Sequence, residues 1–104
     1  MHTTITARHC DISDELRERA QAVLRRLGGI TTRPVDATVV FDRSASLCTA
    51  EIRLHVAKGD VFVTTGEAAD HLSALDRAEE KLRRQVEKAP PHPGRGRRAL
   101  KDQV

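Results

Sequence analysis

Arg77, Lys81, Arg84 and Lys88 are the residues of this sequence whose types and spacing best suggest a chemistry. At 100° per residue they fall within about 60° of one another on a helical wheel. A row of cations repeating roughly once per turn can follow the phosphates of a polyanion, and its affinity falls steeply with salt as condensed counterions are released. Leu75, Leu82 and Val86 fall on the opposite side, so the stripe is expected to face solvent. Asp76, Glu80 and Glu87 fall on a separate flank, which predicts a stripe left unneutralised along its length. Arg8 and His9, adjacent at the end of a β-branched run, are a second candidate phosphate contact; an ordinary loop position accounts for them equally well.

Other constellations are weak. His2, His9, His55, His71 and His92 show no HxxxH spacing, and Cys10 and Cys48 form no CxxC, so no metal site is expected and the cysteines read as reduced, half-buried residues. Cys10 beside His9 could pair a nucleophile with a base, but neighbours on an extended chain point to opposite faces. No catalytic residues, cofactor or small-molecule substrate are expected. Gly28-Gly29 lacks the flanking pattern of a phosphate loop and reads as a helix stop.

Composition decides how a polyanion would be read. The chain has 104 residues, 38% hydrophobic and 32% charged, with two Phe and no Trp or Tyr. Phe41 and Phe62 alone offer no platform for stacking single-stranded bases, so recognition by shape and backbone is expected, as for structured RNA. The formal net charge of +3 averages two unlike parts. Residues 77 to 101 carry nine bases against three acids, whereas residues 1 to 76 carry nine against eleven. No apolar run approaches the roughly 18 residues needed to cross a membrane, and no signal peptide is evident. A cytoplasmic protein with no membrane partner is expected.

The elements that must position these residues are legible in outline. Residues 3 to 8 suit a first strand. Ser13 followed by Asp14 and Glu15 opens a helix, whose apolar face is Leu16, Ala20, Val23, Leu24 and Leu27, ending at Gly28-Gly29. Val35, Ala37, Val39 and Phe41 alternate with polar positions, as do Cys48, Ala50, Ile52, Leu54 and Val56, giving two half-buried strands. Lys58-Gly59-Asp60 reads as a tight hairpin turn and residues 61 to 65 as a fourth strand stopping near Gly66. Asp70 caps a second helix over 71 to 88, with Leu72, Leu75, Ala78, Leu82 and Val86 as its expected buried stripe. The resulting fold class is α+β, β-α-β-β-β-α, a four-stranded mainly antiparallel sheet with both helices on one face. It is similar to a double-stranded RNA-binding domain with an extra N-terminal strand. Residues 1 to 89 form one domain, and 90 to 104, rich in Pro, Gly and Arg, are expected to be a flexible basic tail.

Several segments in this order resemble the bacterial ribosome hibernation-promoting factor and ribosome-associated inhibitor family, also known as the sigma-54 modulation protein family. They are Ile5-Thr6-Ala7-Arg8-His9, Ile12-Ser13-Asp14-Glu15-Leu16-Arg17, Thr49 to Val56, Ala74-Leu75-Asp76 and Lys81-Leu82-Arg83-Arg84-Gln85. The resemblance implies a protein, free as a monomer, that sits on the small ribosomal subunit in the channel used by messenger and transfer RNA and blocks translation during stress or stationary phase. It implies RNA contacts by Arg26, Lys81, Arg84 and Lys88; Arg25 and Arg77 join them from position and charge. Long members of the family carry a second, C-terminal domain, for which this length leaves no room. The tail matches neither short type, and Ala22 and Val23 stand where a lysine might. Two other readings remain open: a double-stranded RNA-binding module not specific to ribosomes, and an interaction protein that dimerises through the open sheet face bearing Glu51, Arg53 and His55.

Overall fold

The computed structural model describes residues 1 to 88; the expected tail lies outside them. Strand β1 (His2–Ala7) leads to helix α1 (Asp14–Gly29), and strands β2 (Pro34–Ser44), β3 (Leu47–Val56) and β4 (Val61–Ala68) follow before helix α2 (His71–Lys88). The sheet order is β1-β2-β3-β4. β1 pairs parallel with β2, Ile5 opposite Val39, and the other pairings are antiparallel. The mixed sheet follows from α1, because a parallel pair needs a crossover long enough to return the chain to the same end.

Alternation along β2 and β3 turns Ala37, Val39, Phe41, Ala50, Ile52 and Leu54 to the helical side, where all are fully buried. Val23, Leu24 and Leu27 of α1 and Leu75 and Leu82 of α2 close over them. Aliphatic side chains of this size contribute roughly 1.5–3 kcal/mol each on burial, which compensates for the scarcity of aromatics. The helix starts are as the sequence implies. Leu16 N–H donates to Ser13 Oγ at 3.0 Å, and Ser73 N–H donates to Asp70 Oδ1 at 2.8 Å.

Three boundaries differ from expectation. Helix α1 runs through both glycines, because neither adopts the positive φ of a left-handed cap. It closes instead with Ile30 N–H on Leu27 O at 3.3 Å and the Thr31 hydroxyl on Gly28 O at 3.1 Å. The β3–β4 connection is a short 3₁₀ turn, Ala57–Gly59, with Gly59 at φ 92° and Val56 N–H closing onto Asp60 O at 2.9 Å.

The third concerns Gly66, which does not end β4 but lies within it. A Cβ there would collide with Ala74 O and stand 2.6 Å from Ala78 N, so Gly66 is where α2 presses its backbone onto the sheet. Ala74 and Ala78 complete this seam of small residues, and the buried Thr64 hydroxyl donates to Ala78 O at 2.8 Å. Alanine in a strand interior normally stabilises by roughly 0.5–1 kcal/mol over glycine. Gly66→Ala should reverse that sign and cost about 1–3 kcal/mol through overpacking, read as a fall in Tm of about 4–8 °C per kcal/mol in a thermal melt.

Candidate nucleic-acid interface

Helix α2 lies over β3 and β4 and follows the outer edge of the sheet. An edge strand presents unpaired carbonyls and amides, a hazard that proteins cover or charge. Here the cover comes from α2. Arg77 Nη1 donates to Glu67 O at 2.6 Å, Lys81 Nζ to Thr65 O at 2.8 Å and Gln85 Nε2 to Val63 O at 3.3 Å. The match is geometric: four residues of helix advance about 6 Å, close to the roughly 6.8 Å of two strand residues. Residues 77, 81 and 85 therefore keep step with 67, 65 and 63 of an antiparallel strand.

The cationic row is thus less free than the wheel implied. Arg77 and Lys81 are exposed but clipped to the β4 edge. Arg84 is not unneutralised: Glu80, one turn earlier, reaches it at 3.5 Å, because neighbouring flanks of a helix are within reach of long side chains. That pair is exposed on both sides, so it is worth little and yields to a stronger anion. Lys88 and Arg25 have no ion-pair partner among the described residues. Lys81, Arg84, Gln85 and Lys88 converge on one shallow groove of about 220 Å³.

Arg26 has a different task. Its guanidinium makes a two-pronged contact with Glu79 on α2, Nε and Nη2 each donating at 3.0 Å, and Arg83 approaches the same carboxylate at 3.5 Å. Glu79 is only 12% exposed. Donation to the Glu79 carboxylate raises the pKa of Arg26 further above its ordinary value. With Arg19 on Asp76 at 3.4 Å, this ties the two helices side by side. Sequence reasoning missed Glu79 and Gln85. For Gln85 the available signal was its place four residues after Lys81 and eight after Arg77.

Arg8 and His9 belong to a separate cluster, at the end of the sheet that receives the N-terminus of α2. His71 Nε2 donates to Asp42 O at 2.9 Å, which fixes that end some 25 Å from Lys88 along an 18-residue helix. His9 has φ 58°, a left-handed conformation that carries the chain out of β1 and brings its imidazole Nδ1 to Asp42 Oδ1 at 3.0 Å. Arg8 reaches the other oxygen at 3.6 Å. Cys10 packs against the core edge, and its thiol is pushed up by burial and then by Asp42, the reverse of what a nucleophile needs. Both cysteines are free. Among the described residues no group of three or more His, Cys, Asp or Glu could hold a metal ion, and no helix is long and apolar enough to cross a membrane.

A family model described as sigma 54 modulation protein / S30EA ribosomal protein matches residues 3–90. The N-terminal domain of Protein Y from Thermus thermophilus superposes with a TM-score of 0.73 at 28% identity, covering 85% of this chain and 98% of that one. A ribosomal subunit interface protein from Coxiella burnetii has the same fold, with a TM-score of 0.74 at 21% identity over 85% of this chain and 96% of its own. No curated protein matches the chain.

The Asp42 cluster yields a test. The hydrogen bond from His9, followed by that from Arg43 N–H, holds the Asp42 carboxyl below its ordinary pKa. A carboxyl depressed in the folded state contributes stability that is complete above the unfolded pKa, about 3.9, and is lost as pH falls through the folded one. Tm against pH should therefore show wild type above Asp42→Asn at neutral pH, the two curves converging in acid; parallel curves would mean that the cluster contributes nothing through charge.

Proposed function

The chain belongs to the sigma 54 modulation protein / S30EA ribosomal protein family, a family of ribosome-associated factors, and we propose that it binds the small ribosomal subunit through RNA phosphates and blocks the messenger and transfer RNA channel. The observation that carries this reading is the groove where Lys81, Arg84 and Lys88 converge, with Arg77 one turn further along the same helix. A row of cations on a rigid helix is a phosphate contact without base specificity, suited to a fixed RNA surface. Such a protein acts in the cytoplasm, as a plug and without catalysis, when growth slows.

Lys81 and Arg77 also hold the sheet edge, so the decisive variants are those that do not. Arg84→Ala combined with Lys88→Ala should leave thermal stability within about 0.5 kcal/mol, as ordinary surface changes do. The same pair should weaken binding to purified small subunits and lower the slope of log affinity against log salt by about two, one per lost phosphate contact. Unchanged affinity and slope would remove the ridge from the interface. Cosedimentation with small subunits should be mutually exclusive with messenger or initiator transfer RNA; occupancy of all three at once would sink the plug mechanism. Equal affinity for plain RNA duplex and for subunits would instead favour the double-stranded RNA module, whose α-β-β-β-α order recurs here after β1.

A monomer in free solution is part of the proposal. The cover over the β4 edge supports it, because Arg77, Lys81 and Gln85 occupy carbonyls that a second strand would need.

A further inference from the structure

The groove on α2 contains one residue whose chemistry the phosphate reading does not use. Gln85 is neutral, exposed, and set between Lys81 one turn before it and Lys88 one turn after, with Arg84 beside it. Cations can hold phosphates, but ammonium and guanidinium groups only donate hydrogen bonds. A carboxamide donates and accepts. Its orientation here is fixed by its partner: the Val63 carbonyl can only accept, so Nε2 is the atom turned to the strand at 3.3 Å and Oε1 is turned away from it. One N–H and both lone pairs of Oε1 are left for a ligand.

The order along the helix is cation, amide, cation, at steps of about 6 Å and 4.5 Å along the axis. An RNA backbone presents the matching order of phosphate, ribose hydroxyl, phosphate. The ribose 2′-hydroxyl is both donor and acceptor, and it is the group by which a protein distinguishes RNA from DNA. Clipping to β4 also restricts the rotamers of Lys81 and Gln85 before binding, which lowers the ordering cost on association. Resting on the proposed ribosomal RNA contact, we infer that Gln85 is a specificity-determining residue that grips a ribose 2′-hydroxyl while Lys81, Arg84 and Lys88 hold the flanking phosphates.

The experiment is 2′-hydroxyl acylation probing of purified small ribosomal subunits saturated with the full chain or with its Gln85→Met variant, which keeps the length of the side chain and loses its hydrogen bonds. Wild type should protect a set of 2′-hydroxyls, and Gln85→Met should return one or two of them to full reactivity while the rest stay protected. Its affinity should fall about two- to tenfold, the equivalent of one neutral hydrogen bond, with an unchanged salt slope. Lys81→Met should lower the slope by about one instead. Identical protection by wild type and Gln85→Met at saturation would overturn the inference and leave the ribosomal reading standing. A lowered Tm for Gln85→Met together with loss of the whole footprint would overturn it in favour of a purely structural role for Gln85 at the β4 edge. No protection by wild type would overturn the ribosomal reading, and the inference with it.

Discussion

The contact on which the other features depend is the approach of α2 to β4 at Gly66. With no side chain at that point, the helix backbone comes close enough for Thr64 to donate into it, and the helix is brought down along the outer edge of the sheet. At that depth, side chains four residues apart reach alternate carbonyls of the strand. A helix held a few ångströms higher would leave the edge uncovered and its cations loose in solvent. Core packing, edge protection and the geometry of the basic row are therefore consequences of one close approach.

Much of this was legible in the sequence. Alternation in 35 to 41 and 48 to 56 identified both central strands and their buried faces, except that Val35, beside the register shift at Pro34/Asp36, is exposed, as is Leu72 in the first turn of α2; Ser13 and Asp70 marked the helix starts with side chains that do cap them. The wheel correctly grouped Lys81, Arg84 and Lys88, which share one groove. What stayed hidden depends on distances between elements. Gly66 reads as a terminator because a glycine's reason for existing is often the atom it avoids, and Ala74 lies on another element. Gly28 and Gly29 likewise permit a left-handed cap without requiring one, and the chain closes α1 through Thr31 instead. The register that aligns Arg77 with Glu67 and Gln85 with Val63 belongs to helix and strand together, so no local pattern could reveal it.

Charge is divided by task more than by sign. The carboxylate of Glu79, largely sheltered between the helices, gathers Arg26 and Arg83 and fixes how α1 lies against α2. A guanidinium spent in this way keeps its charge but loses its freedom, so Arg26 adds to the local potential while serving as a strut. Arg17 acts similarly at the far edge of the sheet, donating to Ile5 O at 3.4 Å. Both outer strands are thus guarded by cations borne on helices. Such cover blocks further strand pairing at both edges without prolines or bulges in either outer strand.

The parallel pairing of β1 with β2 has a consequence during synthesis. Ile5 is matched to Val39, which the ribosome adds 34 residues later. At about 5–20 residues per second, the first strand waits roughly two to seven seconds before its partner exists. His2–Ala7 emerges from the ribosome ahead of its partner by the same interval and stays an unpaired strand until β2 follows. Its composition suits the delay: three threonines and a histidine surround a single large aliphatic residue, too little apolar surface for the cross-strand zippers that nucleate aggregation. The polar face that the finished sheet turns to water on β1 is what lets the nascent chain remain unpaired until β2 arrives.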